Sequence, residues 1–186
     1  TRGHQWQAPE QKLNTYLDVM EKVEPTMCAV ETLGPMIIAA HGPLLQRIAA
    51  ARSDGVMTYL MSPEHTSTSR QRIGPDVELN VVVPVLSETG PTKAREVCRK
   101  ALGYYTTLDY YRREWREHGF DDGDFADNGS DRLLDHLVAH GQPEILEARI
   151  QAHEIAGASR IILLPLDVDD GDAAASASLA AMAPVS

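Results

Sequence analysis

The sequence predicts an α/β fold built on a parallel sheet, and three observations carry that prediction. Apolar runs of strand length alternate with amphipathic runs of helix length, and the joints between them carry Gly and Pro. The longest β segment, Glu78-Leu79-Asn80-Val81-Val82-Val83-Pro84-Val85-Leu86, is apolar almost throughout, the pattern of a strand covered on both faces. With 186 residues, 43% of them hydrophobic, the chain can bury the core of one domain.

From Pro9 to about Val23, Leu13, Tyr16, Leu17 and Met20 recur at helical spacing and predict a first amphipathic helix. Pro35 to Ala40 is an apolar strand that stops at His41-Gly42-Pro43, and a helix follows over 43–52. Gly55 to Leu60 is the next strand. Ser62-Pro63 supplies an N-cap and a first-turn proline for a helix to about Ile73, and Gly74-Pro75-Asp76 breaks the chain. Within 78–86, Pro84 cannot donate to a ladder and predicts that pairing ends or bulges there. Helical patterns run from Thr92 through Tyr105 and from Tyr110 to His118, with Gly119 as terminator. An acidic loop over 121–131, helices at about 131–139 and 143–156, and a last strand over 158–166 complete the order.

That count gives about four parallel-type strands, each but the last followed by helix. A complete (β/α)8 barrel has eight strands and typically about 250 residues. The sequence therefore predicts a TIM-barrel type fold of which this chain covers roughly the last four βα units. Residues 1–167 form that half barrel, and 168–186, mostly Asp, Ala and Ser, form a disordered tail.

Charge and cysteine usage exclude several classes. A net charge of −10 and a pI near 5.1 disfavour nucleic acid and anionic membranes as partners. The Arg-rich stretch Tyr111-Arg112-Arg113-Glu114-Trp115-Arg116 is interrupted by glutamate and reads as a solvated helix face. Cys28 and Cys98 are far apart, which speaks against a disulfide framework or a thiolate zinc site and for reduced thiols in the cytoplasm. No run reaches the length of a membrane span, and no signal peptide is evident. His136 and His140 are spaced i, i+4 but lack HExxH and a third ligand, and the two Asp-rich stretches lack the last Glu of a calcium loop, so no metal is expected. GxSxG, Walker and GxGxxG motifs are absent.

The segment with chemistry is Ala39-Ala40-His41-Gly42-Pro43, where a strand's C-terminal end meets a helix N-terminus. In parallel α/β folds ligands bind at that junction, because backbone N–H groups and the positive helix end converge there. The plain alternative is an ordinary strand-to-helix turn. His65 can serve as a general acid/base, since imidazole titrates near neutrality, or be a polar surface residue.

In order and spacing, Ile38-Ala39-Ala40-His41-Gly42-Pro43-Leu44-Leu45, Ser53-Asp54-Gly55, Thr58-Tyr59-Leu60-Met61-Ser62-Pro63-Glu64-His65-Thr66, Ala94-Arg95, Tyr104-Tyr105, Tyr110 to Arg113, Gly119 to Asp124, Gly129 to Leu133 and Ala156-Gly157-Ala158 resemble the luciferase-like monooxygenase superfamily. The similarity is to its coenzyme F420-dependent oxidoreductase branch, and it covers about residues 13–166. It implies a TIM barrel that binds coenzyme F420 or FMN at the C-terminal ends of its strands, with Ala39, Ala40, His41, Gly42 and Pro43 along the ribityl and phosphate part. Tyr59 and Glu64 would line the substrate pocket, and His65 is the candidate catalytic residue.

The expected function is an F420- or flavin-dependent oxidoreductase or monooxygenase acting by hydride or oxygen chemistry on a small organic substrate. The alternative is a truncated, catalytically silent half barrel that serves as a structural or self-associating module. The resemblance begins near the fifth strand of a barrel and the chain opens at Thr1, so a piece of a longer protein is expected. A half barrel exposes unpaired edges and an apolar inner face, so a homo-oligomer or completion by an N-terminal half is expected.

Overall fold

The computed structural model describes residues 7–22, 34–87 and 89–166. The 168–186 tail and Cys28 lie outside the described residues. The order is α1 (Pro9–Met20), β1 (Ile37–Ala39), α2 (Pro43–Arg52), β2 (Gly55–Tyr59), α3 (Pro63–Ile73), β3 (Glu78–Leu86) and α4 (Pro91–Leu102). A 3-10 turn (Gly103–Thr107) then leads to α5 (Asp109–Glu117), α6 (Asp122–Phe125), a second 3-10 turn (Ala126–Asn128), α7 (Asp131–Leu137), β4 (Ala139–His140), α8 (Pro143–Ile155) and β5 (Arg160–Pro165). The helices α1, α2, α3, α4 and α8 each begin on proline, whose fixed φ suits the first helical position and whose missing N–H has no partner to lose there.

All strand pairs are parallel, and β1, β2, β3 and β5 stand side by side in chain order. Winding in one direction without reversal is the arrangement of a barrel, whereas a doubly wound sheet reverses at its switch point. The chain is thus a partial (β/α)8 barrel. Gly55 is needed where β2 starts, because a Cβ there would stand 2.7 Å from the Glu78 carbonyl and 2.8 Å from Ile37 Cδ1.

The two faces of the sheet differ. Val56, Leu79, Val81, Val83 and Val85 point to the helices and are buried with Ala49 of α2 and Leu146 of α8. On the other face Met57, Tyr59, Val82 and Ile162 are only half-buried, and Leu164 is 38% exposed. A second core forms beyond the C-terminal strand ends, where α4, α5 and α7 bury Leu86, Cys98, Trp115, Phe125 and Leu133. Burial pushes the Cys98 thiol up to about 12, so it is an inert core group.

Pairing does not end at Pro84, as its chemistry predicts: β3 continues to Leu86, with Pro84 opposite Leu164. The hydrogen bonds explain this. Odd-numbered β3 residues face β5, as shown by Ser159 N–H to Leu79 O (2.8 Å) and Leu166 N–H to Val85 O (2.9 Å). Even-numbered ones face β2 and then β4, through Glu78 N–H to Asp54 O (3.3 Å) and Gly141 N–H to Leu86 O (3.0 Å). Pro84 therefore aims its missing donor at the gap between the end of β2, paired up to Val82, and β4, paired from Val85. The expected loop at 121–131 contains α6, held by a capping box in which Asp121 and Asp124 reciprocate.

Candidate functional site

The site candidates converge where the C-terminal ends of β1 and β2 meet α2, α3 and α5. Gly42 is the N-cap of α2 with φ −81 and ψ 160, an extended conformation open to any residue. No side chain caps this helix end. A Cβ at Gly42 would lie 3.0 Å from Glu114 Oε1. The space beside Gly42, in front of the expected phosphate cradle, is thus filled by a carboxylate from α5.

Glu114 is 6% exposed. The buried face of α5 carries it together with Tyr111 and Trp115, and Trp115 Nε1 donates to the Leu60 carbonyl at 2.9 Å. Leu60 has φ 57 and is fully buried, a left-handed conformation uncommon for a branched side chain. It turns the chain from β2 toward α3. The solvated-face reading of 111–116 is corrected accordingly: Arg113 and Arg116 are exposed, but Tyr111, Glu114 and Trp115 are buried.

His65 is 1% exposed, so the surface reading of this residue is also corrected. Its hydrogen bonds fix its tautomer. Gln46 Nε2 spends its two hydrogens on Ala40 O (3.3 Å) and Ser69 Oγ (2.8 Å). The Ser69 hydroxyl then donates to His65 Nδ1 at 3.2 Å. Nε2 of His65 consequently carries the proton and donates to the His41 carbonyl at 3.1 Å, with Glu114 Oε2 3.7 Å away. Burial raises the Glu114 carboxyl, but the nearby His65, Arg72 and His41 outweigh it, and the net shift is downward. Glu114 is therefore ionised at neutral pH.

His41 Nδ1 is buried without a hydrogen-bond partner. Burial and the neighbouring His65 push this imidazole down to about 4, against the opposing pull of Glu114. Neutral His41 packs 4.9 Å from the Tyr111 ring, centroid to centroid. From there an aromatic series runs through Tyr105, 5.2 Å from Tyr111, to Tyr59, 5.4 Å from Tyr105. Tyr59 ends β2 on the half-open face of the sheet, and Glu64 is exposed in the first turn of α3. A bond to the Ser62 side chain holds the Glu64 carboxyl below its usual range. Ser62 caps α3 by accepting from His65 N–H at 3.4 Å.

The expected cradle Ala39–Pro43 and the candidates Tyr59, Glu64 and His65 thus lie at one end of the sheet. Glu114 was not among them. His136 and His140 do not share a helix face, since α7 stops at Leu137 and His140 bonds Asp135 Oδ1 at 2.9 Å. Among the described residues, no three His, Cys, Asp or Glu side chains are grouped to hold a metal, and no helix is long and apolar enough to cross a membrane.

No family model matches the sequence, and no curated protein matches it significantly. Solved structures do. The chain is similar to an F420-dependent secondary alcohol dehydrogenase in complex with an F420-acetone adduct, at 13% identity and TM-score 0.65, over 98% of this chain and 66% of that one. It is similar to apo-MsnO8 at 15% identity and TM-score 0.54, over 92% of this chain and 57% of that one. A third neighbour is the coenzyme F420-dependent tetrahydromethanopterin reductase from Methanopyrus kandleri, at 15% identity and TM-score 0.51, over 70% and 44%. The chain spans less than two thirds of each neighbour's length. Its fold is that of part of a TIM barrel, as the sequence predicts.

Proposed function

We propose that this chain serves an oxidoreductase of the luciferase-like class that uses coenzyme F420 or FMN on a small organic substrate in the cytoplasm. The observation that supports this most is the structural match over 98% of the chain to the F420-dependent secondary alcohol dehydrogenase, together with the singly wound parallel sheet. When bound, the cofactor supplies the hydride or oxygen chemistry through its ring. The chain supplies position. Ala39 and Ala40 keep the strand end small, and uncapped α2 offers a positive helix end to an anion. Ala39, Ala40, His41, Gly42 and Pro43 hold the cofactor's phosphate part, on condition that Glu114 is displaced or neutral. Tyr59 and Glu64 meet the substrate. His65, with both ring nitrogens engaged, is a positioning residue for His41 and Glu114 rather than a group that meets substrate directly.

A second reading, a catalytically silent structural or self-associating half barrel, is favoured by the half-open apolar face bearing Met57, Val82 and Ile162. Mixing purified protein with FMN or F420 and passing it through gel filtration separates the two. Retention of roughly one cofactor per chain supports the oxidoreductase, and protein that elutes colourless from both supports the silent module.

A further inference from the structure

An anion already lies beside Gly42, the N-cap of α2. Glu114 Oε1 sits 3.0 Å from the Cβ position of Gly42, and the residue is 6% exposed. Its second oxygen lies 3.7 Å from His65 Nε2. Tyr111 and Trp115 are buried beside Glu114 on α5, and the Trp115 bond to Leu60 O fixes the helix across the end of β2. An incoming phosphate at this helix end would meet a buried like charge within a few Å, which is repulsive at any reasonable interior dielectric.

We infer that Glu114 is an internal competitor for the cofactor's phosphate, a built-in anion beside the N-cap of α2 that must swing away or lose its charge before the cofactor seats. This rests on the placement of the phosphate at Ala39–Pro43 proposed above. Two features of the site suit a carboxylate that moves. Gly42 presents no side chain to obstruct it, and the His65 Nε2 proton already has an acceptor, the His41 carbonyl at 3.1 Å. His65 therefore keeps a partner when Glu114 leaves.

Calorimetric titration with FMN and, separately, with inorganic phosphate tests this on the full chain and its Glu114→Gln variant. Removing a like charge a few Å from the ligand predicts FMN binding tighter by about tenfold or more in the variant, with inorganic phosphate binding gained at the same time. Equal FMN affinity in the two proteins overturns the competition while leaving the cofactor reading in place. Absence of FMN and phosphate binding in both overturns the inference together with that reading. Should Glu114→Gln fail to fold, the His65 ring resonances of the unsubstituted chain decide. They shift as FMN saturates the protein if Glu114 departs, and His65 resonances unmoved at saturation overturn the inference.

Discussion

The Trp115 indole donates to the Leu60 carbonyl across 2.9 Å, tying α5 to the left-handed residue that ends β2. Both partners are buried, so an unmade bond would leave a carbonyl without water. Trp115→Phe keeps much of the ring packing and removes the donor, and it should cost roughly 1–3 kcal/mol. Trp115→Ala should cost about 3–5 kcal/mol. Urea unfolding checks both, and a Phe variant as stable as the parent would mean that the bond does not hold α5.

Tyr59 separates binding from packing. It is half-buried, on the open face of the sheet, and touches Tyr105 edge-on. Tyr59→Ala should weaken cofactor or substrate binding more than it lowers the melting temperature. A large drop in melting temperature with binding intact would make it an ordinary core aromatic.

Much of this frame was legible in the sequence, because strand and helix differ in period and proline marks helix starts. The predicted helices over 43–52 and 63–73 and the strand over 78–86 match α2, α3 and β3. Pro84 misled because its effect depends on which side of β3 its nitrogen faces, and that is set by where β2 stops and β4 begins. Glu114 was invisible for a similar reason. Its contact with Gly42 spans 72 positions, and its sequence neighbours are arginines that do face water. The available signal was Tyr111, Glu114 and Trp115 at helical spacing, a stripe in which a glutamate stands among aromatics.

Acid should loosen the fold through its buried imidazoles. His153 is 1% exposed and bonds Thr66 Oγ1 at 2.9 Å, and burial with the neighbouring Arg149 lowers it to about 4. His41 is also lowered to about 4. Both bind a proton more readily unfolded, near 6.5, than folded, so their stabilisation is complete above about pH 6.5 and falls as pH drops toward 4. The loss should reach a few kcal/mol, at about 1.4 kcal/mol per pH unit for each group. Denaturant melts at pH 7.5, 5.5 and 4 check the slope, and His153→Gln should flatten it. A stability flat across this window would contradict neutral burial of these rings.

Among the described residues β1 and β5 each pair on one side only, and the face with Met57, Val82 and Leu164 is partly open. Such edges and faces promote association. Light scattering at micromolar concentration should therefore show a dimer or larger species, or a chain that becomes monodisperse only with a barrel-completing partner. A monodisperse monomer with a cooperative melt would argue against open edges in solution.

The most direct test of the central claim is cofactor binding to Gly42→Val beside the unsubstituted chain. The backbone at 42 accepts any residue (φ −81, ψ 160), and the nearest obstacle to a Cβ is the Glu114 carboxylate at 3.0 Å, so the variant should fold with a near-normal melting temperature. A valine there also shields the α2 N-terminus. The account predicts that the parent chain binds FMN or F420 and that Gly42→Val, still folded, does not. Equal cofactor affinity in the two proteins would contradict it.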